Sequence, residues 1–401
     1  MKPTPASRGP RFVLVGGGTG GHVYPALAIA EQLKRFAPGA GLLFVGGDRL
    51  EAKVVPAAGL RFRTISVHGL AGRGLTAWAR RLRSGAELAI GLPLWQSLLI
   101  LRGFRPQAVI GTGGYVTGPV ILAARLLGIP SLSVEGNRAP GLTSRIVSRM
   151  VKVMAVGWPD LAPFFEDRVR RGARVVVTGM PVRNALLELA REQGAAALGF
   201  DPARLILLVL GGSLGSQPIN EALVGALKML ERADARTRDV QVLHVVGPQR
   251  SAGVSEQDMQ LSVPAYRAVS YLTDLYPHAL AAADLAVARA GASTVAELIA
   301  RRLPSILIPW AAASTGEQAR NAEPLARTGA AVVIPDSELT AQRLGQTLLE
   351  LLWDADRRAR MGQAAALLGH PDAAARVAEL ALELAKEGED DPRQRTDGRS
   401  A

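Results

Sequence analysis

Phe12-Val13-Leu14-Val15-Gly16-Gly17-Gly18-Thr19-Gly20-Gly21-His22 decides how the chain opens. Four consecutive apolar residues read as a parallel strand covered on both faces. The glycines then hand the chain to a helix expected to begin about Pro25, since proline suits a first helical turn. The second half opens alike. Leu205–Leu210 runs into Gly211-Gly212-Ser213-Leu214-Gly215-Ser216, with a helix expected from about Pro218. Glycine lets backbone approach a ligand, and a helix N-terminus offers N–H groups and a positive dipole end, so phosphates bind at such junctions. One such loop is a weak signal. Two at equivalent places point to two doubly wound α/β domains facing a cleft that holds phosphorylated ligands.

Outward from these loops, apolar runs alternate with amphipathic stretches. Strands are predicted near 12–16, 42–46, 62–67, 108–111, 131–134, 151–156 and 175–178, then near 205–210, 240–246, 284–288, 305–309 and 331–334. Gly179-Met180-Pro181-Val182-Arg183 is the natural hinge. The expected domains are 1–182 and 183–387, with a polar, disordered tail at 388–401. At 401 residues the chain is long enough to bury its cores without staples.

Composition narrows the chemistry. The absence of cysteine excludes disulfides, thiolate zinc, iron–sulfur clusters and a thiol nucleophile. Five scattered histidines with no HxxxH pair argue against a catalytic metal. The charge is +12, and only six of 47 basic residues are lysine. Nucleic acid, an anionic membrane and phosphorylated substrates all fit that balance. Aromatics at 4% and unclustered lysines give no stacking strip, so nucleic acid is not an expected partner. The apolar run Leu88–Leu101 is too short to span a bilayer, and Phe12–Val15 too short for a signal-peptide core.

Residues 68–105 interleave Leu70, Leu75, Trp78, Leu82 and Leu92 with Arg73, Arg80, Arg81, Arg83, Arg102 and Arg105, and Glu87 is the only acid there. That pattern suits a surface dipping into an anionic bilayer, or a basic helix packed on the sheet.

Several constellations fall where strands end. Gly16, Gly18 and Gly21 satisfy GxGxxG, and Asp48 follows the second strand, so a nicotinamide dehydrogenase stays open. His22 ends the first loop and is the side chain best poised as a base near neutral pH. Gly111-Thr112-Gly113-Gly114-Tyr115-Val116-Thr117-Gly118-Pro119 reads as a long turn or a further anion cradle. Glu135-Gly136-Asn137-Arg138 also lies at a carboxyl edge, where open α/β sheets bind ligands. In Arg289–Glu297, Thr294 and Glu297 fit a capping box as well as a ligand site. Glu317, Gln318, Arg320 and Asn321 fit a polar ligand or an ordinary helix start. Asp354-Ala355-Asp356 reads as a solvated helix end rather than a metal site.

Together these residues resemble the MurG family. The shared motifs are GGTGGH at Gly17–His22, GxDRxEA at Gly46–Ala52, GGYVTGP at Gly113–Pro119 and GxPVR at Gly179–Arg183. GGSxG at Gly211–Gly215, RAGASTVAE at Arg289–Glu297 and EQxxNA at Glu317–Ala322 follow in order. The resemblance spans about residues 11–387 and implies a GT-B glycosyltransferase fold, in which residues 371–386 could cross back to the first domain. It implies inverting transfer of GlcNAc from UDP-GlcNAc to the C4 hydroxyl of MurNAc in lipid I, forming lipid II, without a metal or other cofactor. Its expected setting is peripheral, on the cytoplasmic face of the plasma membrane, with other cell-wall synthesis enzymes as partners. A glycolipid synthase of the same fold is the rival enzyme.

By the same resemblance Thr19, Gly20 and Gly21 approach donor and acceptor phosphates. From its place at the end of that loop, His22, or a water it orients, is expected to be the catalytic base. Asn137, Arg183, Ser213, Leu272, Ala292, Ser293, Thr294, Val295, Ala296, Glu297 and Gln318 are expected on UDP-GlcNAc, with Arg183 and Ser213 at its diphosphate. Leu272 would meet uracil through its backbone, and Glu297 the ribose hydroxyls. Gly113, Gly114, Tyr115 and Glu135 are expected on the acceptor. Val134-Glu135-Gly136-Asn137 departs from the family's HEQN-type segment in lacking its His and Gln, and Glu317 stands where some members carry glutamine.

Overall fold

The structure, a computed structural model, describes residues 9–67, 86–248, 265–313 and 316–390. The chain divides into two compact units, Met1–Arg183 with Asp372–Ala401, and Asn184–Pro371.

The first unit runs β1 (Arg11–Val15), α1 (Gly20–Phe36), β2 (Gly41–Gly46), α2 (Leu50–Ala57), β3 (Arg61–Thr64), α3 (Ala86–Phe104), β4 (Ala108–Gly111), α4 (Thr117–Leu126), β5 (Ser131–Glu135), α5 (Leu142–Val147), β6 (Val153–Val156), α6 (Ala162–Glu166) and β7 (Arg174–Val177). Its sheet is parallel, in the order β3-β2-β1-β4-β5-β6-β7. Successive β1 side chains feed opposite cores. Phe12 and Leu14 join α1 on one face, while Val13 and Val15 join α4 on the other. Burial on both faces is why the strand is apolar without alternation.

The second unit runs α7 (Ala185–Glu188), α8 (Arg191–Leu198), β8 (Ile206–Leu210), α9 (Gln217–Ala233), β9 (Gln241–Val245), β10 (Ala265–Val269), α10 (Tyr276–Ala282), β11 (Leu285–Ala288), α11 (Ala292–Ala300), β12 (Ser305–Leu307), α12 (Glu317–Thr328), β13 (Ala331–Val333), α13 (Ala341–Leu352) and α14 (Ala355–Ala366). Its parallel sheet has the order β10-β9-β8-β11-β12-β13. In each sheet the order reverses beside the strand that feeds a glycine loop, between β1 and β4 and between β8 and β11. Ligands of open α/β sheets bind at such switch points.

Several expectations change. The second domain does not extend to 387. The last helix, α15 (Ala373–Asp390), packs on α1 and over β4 of the first unit. Its apolar face, with Val377, Ala381 and Leu384, completes the core that contains Phe12 and Leu14. Residues 388–390, assigned to the tail, continue that helix, and 391–401 lie outside the described residues. α1 starts at Gly20, so Pro25 stands inside the helix. Strand β10 was not foreseen, because Ala265-Tyr266-Arg267-Ala268-Val269 is an interrupted edge strand, paired among the described residues only to β9. Asp354 is the N-cap of α14 and accepts from the Arg357 N–H at 2.7 Å, a helix-end role.

Candidate active site

In the first unit, the loops after β1 and β4 meet around His22, which lies in the first turn of α1. The Thr112 hydroxyl donates to the His22 carbonyl at 2.6 Å and ties the two loops together. His22 Nδ1 lies 3.1 Å from the Gly17 carbonyl and 3.4 Å from Thr19 Oγ1. A carbonyl only accepts, so Nδ1 carries the hydrogen and Nε2 is left with its lone pair. Burial lowers the imidazole pKa, and the Gly17 carbonyl and the Glu51 charge partly oppose that. The neutral ring is the form that can take a proton near pH 7.

Gly113 and Gly114, both at positive φ, let the second loop lie against this ring. A Cβ on Gly113 would come within 2.6 Å of His22 Cδ2, and one on Gly114 would collide with the Gly17 carbonyl. Tyr115 covers Gly18, with the Arg49 guanidinium 5.6 Å from its ring centroid. Its hydroxyl is buried without a hydrogen-bond partner among the described residues, and burial raises its pKa. Glu135, at the end of β5, is buried and accepts from the Asn137 backbone at 2.8 Å and its amide at 3.2 Å. Burial raises the Glu135 pKa against these bonds and one from Ser144. Gly113, Gly114, Tyr115, Glu135 and Asn137 therefore all sit at the carboxyl edge that carries Thr19, Gly20, Gly21 and His22. Arg183 stacks on Tyr24, 4.4 Å from the ring centroid, while its Nε and one Nη have no partner among the described residues. A buried guanidinium with idle donors is fitted for an anion. No motif in the sequence marks Tyr24 as its support.

In the second unit, Ser213 is exposed on the loop after β8, and Ser216 N-caps α9. A Cβ at Gly215 would strike the Val246 carbonyl, so glycine lets the loop press against the end of β9. Arg289 is buried and bonds the Ser216 hydroxyl, the Ile308 carbonyl and the Asp336 carboxylate. No motif in the sequence marks Ser216 or Asp336 as a partner of Arg289.

The capping box that Thr294 and Glu297 could form is absent. α11 begins at Ala292 behind Gly291, and Glu297, deeper in the helix, accepts from the Tyr276 hydroxyl at 2.6 Å. Ala292, Ser293, Thr294 and Ala296 are partly exposed, whereas the Val295 side chain is fully buried and its N–H donates to Gly291. The Leu272 side chain is buried too. Gln318 Oε1 accepts from the N–H of the half-exposed Trp310 at 3.0 Å. Asn321 is fully buried and donates to the Ala290 carbonyl, so it braces the loop after β11 rather than facing a ligand.

Of the basic apolar stretch, residues 68–85 lie outside the described residues, including Leu70, Leu75, Trp78, Leu82, Arg73, Arg80, Arg81 and Arg83. On α3, Leu92, Trp95 and Leu99 are exposed, joined by Leu126 of α4 and Leu142 and Ile146 of α5. Arg102, Arg105, Arg125, Arg145 and Arg149, on the same helices or just after them, are exposed as well. No helix among the described residues is long and apolar enough to cross a membrane. Among the same residues, no three His, Asp or Glu side chains come together as a metal site.

Residues 12–156 match the glycosyltransferase family 28 N-terminal domain and residues 206–377 its C-terminal domain. A UDP-N-acetylglucosamine–N-acetylmuramyl-(pentapeptide) pyrophosphoryl-undecaprenol N-acetylglucosamine transferase of Desulfitobacterium hafniense is 40% identical over 380 residues, covering 94% of this chain and 99% of that one. Its namesake in Desulforudis audaxviator is 42% identical over 386 residues, covering 94% and 99%. The crystal structure of Acinetobacter baumannii MurG superposes with a TM-score of 0.66 at 28% identity, covering 93% and 99%. A UDP-GlcNAc 2-epimerase from Neisseria meningitidis, at 13% identity and a TM-score of 0.67, shares the fold. With both family 28 domains in order and such relatives matched end to end, the chain belongs to the MurG family of glycosyltransferases.

Proposed function

We propose that this enzyme transfers GlcNAc from UDP-GlcNAc to the C4 hydroxyl of MurNAc in lipid I, forming lipid II with inversion at the anomeric carbon. The observation that supports the chemistry is the 3.1 Å approach of His22 Nδ1 to the Gly17 carbonyl, which favours the hydrogen on Nδ1 and leaves Nε2 free to act as a base. In a single displacement the C4 hydroxyl gives its proton to Nε2, its oxygen bonds to the anomeric carbon, and the bond to the diphosphate breaks. UDP leaves with the electron pair. The second unit holds the donor, with Ser213 and the α9 N-terminus toward the diphosphate and Glu297 toward the ribose. Arg183 offers its idle nitrogens to a substrate phosphate. The reaction needs no metal, because the α9 N-terminus and Arg183 supply the positive charge.

The exposed leucines, isoleucine and tryptophan of α3, α4 and α5, with the exposed arginines of the same helices and the turns after them, seat the first unit on the anionic cytoplasmic face of the plasma membrane. Loss of binding to phosphatidylglycerol vesicles in Trp95→Glu tests that placement, and undiminished binding overturns it.

The test of activity is transfer of labelled GlcNAc to a lipid I analogue, with diacylglycerol as the rival acceptor and EDTA as a further arm. His22→Ala is expected to lose about 10²–10⁴-fold in kcat, the usual worth of a general base. Full activity in that variant, labelling of diacylglycerol alone, or loss with EDTA overturns the corresponding part.

A further inference from the structure

Glu51 is fully buried in the first turn of α2, yet no cation bonds it among the described residues. Its two oxygens accept backbone N–H groups, Oε2 from Gly18 at 3.1 Å and Oε1 from Gly47 at 2.9 Å. Burying a carboxylate is costly, so one held by two glycine amides calls for a use. The Gly18 N–H belongs to the same peptide group as the Gly17 carbonyl, and that carbonyl accepts from His22 Nδ1. One peptide plane is thus gripped at its N–H by Glu51 and at its C=O by His22. Hydrogen bonds in such a chain polarise one another in a low-dielectric setting.

We propose that Glu51 is the orienting carboxylate of His22, acting through the intervening Gly17–Gly18 peptide. It holds the carbonyl toward Nδ1, which fixes the tautomer, and its charge stabilises the imidazolium formed when Nε2 takes a proton. The arrangement does what the third member of a nucleophile–base–carboxylate set does, with a peptide inserted between acid and imidazole. Glu51 touches no reacting atom and is a positioning residue. Its charge reaches the ring from α2. From the loop after β4 the ring is faced by Gly113 and Gly114, with Tyr115 beyond them over Gly18 and Asp48 and Arg49 around the tyrosine.

The proposal rests on His22 as the base, so the test includes a readout independent of turnover. Histidine-labelled protein is titrated by NMR as wild type and as Glu51→Gln, and both are assayed across pH. The wild type is expected to carry the His22 hydrogen on Nδ1. In Glu51→Gln the His22 pKa is expected to fall and the acid limb of the kcat profile to move to lower pH. The kcat plateau should drop about tenfold or more, a part of the general-base contribution, with KM for UDP-GlcNAc within about twofold. A wild-type hydrogen on Nε2 overturns the proposal without any variant, as does an unchanged His22 titration in Glu51→Gln. If His22→Ala is inactive but Glu51→Gln leaves that titration unmoved, the base stands and the Glu51 assignment falls. If His22→Ala is fully active while the titration shifts, the coupling is upheld and the base assignment falls.

Discussion

Arg289 donates from Nη2 to the Ser216 hydroxyl at 2.8 Å, joining the loop after β11 to the N-cap of α9. Its Nη1 meets the Ile308 carbonyl at 3.1 Å and the Asp336 carboxylate. One planar guanidinium therefore spans three segments at the switch point of the second sheet. Lysine, a point charge on a flexible stem, cannot reproduce that fork. Arg289→Lys is expected to raise KM for UDP-GlcNAc about tenfold, equivalent to about 1.4 kcal/mol. Arg289→Ala should also cost about 3 kcal/mol of stability by leaving Asp336 unpaired. Donor titration calorimetry and urea unfolding check the two effects, and unchanged donor affinity in both variants refutes the bracing role.

Gly113 keeps the second loop of the first unit against His22. An added methyl would stand 2.6 Å from Cδ2 and 3.0 Å from Nε2, at a φ of +108° that side chains rarely adopt. Gly113→Ala is expected to cost roughly 1–3 kcal/mol of stability, in the range for a strained backbone position. It should also lower kcat more than it changes KM for the donor, because only the base is displaced. Steady-state kinetics separates the two. A pure KM effect would show that the methyl disturbs a binding surface instead.

His244 gives a pH signature to the second unit. Asn220 Nδ2 is engaged by the Val246 carbonyl, so its Oδ1 accepts from His244 Nε2, 2.9 Å away. Nδ1 then accepts from the Tyr266 hydroxyl at 2.7 Å. Burial pushes the imidazole pKa down to about 4 from its ordinary 6.5. Between those values the unfolded chain takes up a proton that the folded one refuses. The His244 contribution to stability is complete above pH 6.5 and is lost as pH falls toward 4, by about 3 kcal/mol at 1.36 per unit. His244→Gln, though less stable at neutral pH, should flatten that slope in urea unfolding between pH 4 and 7. A slope identical to wild type would place the titration elsewhere.

The sheets were legible because buried parallel strands have to be apolar throughout, as Phe12–Val15 and Leu205–Leu210 are. Ala265–Val269 was missed for the opposite reason. An edge strand has one neighbour, and Arg267 can turn its guanidinium onto Phe200. At the site, glycine loops announce themselves locally, but bracing contacts do not. Glu51 stood inside a family motif without a role, since Gly18 lies 33 residues away. Asn321 fits a polar ligand or an ordinary helix start in the sequence, and its actual partner, the Ala290 carbonyl, lies 31 residues away. Spacing along one helix cannot distinguish a side chain aimed at substrate from one aimed at a neighbouring loop.

The C-terminal helix yields a prediction about which unit fails when the end of the chain is altered. Val377, Ala378, Ala381, Leu384 and Ala385 are all buried in the first unit's core, although they follow the second unit in sequence. The ion pairs Lys152–Glu387 and Arg174–Glu383 also tie this helix down, but both are half-exposed. Exposed pairs contribute about 0–1 kcal/mol each. Deleting the buried Leu384 side chain costs roughly 2–5 kcal/mol. Packing therefore dominates, and Leu384→Ala should destabilise the first unit far more than Glu383→Gln does. Calorimetry is expected to show the first unit's transition lowered in Leu384→Ala, while a transition raised by UDP, assigned to the second unit, stays in place. If the UDP-sensitive transition falls instead, the helix stabilises the donor-binding unit and the assignment of residues 372–390 to the first unit is wrong.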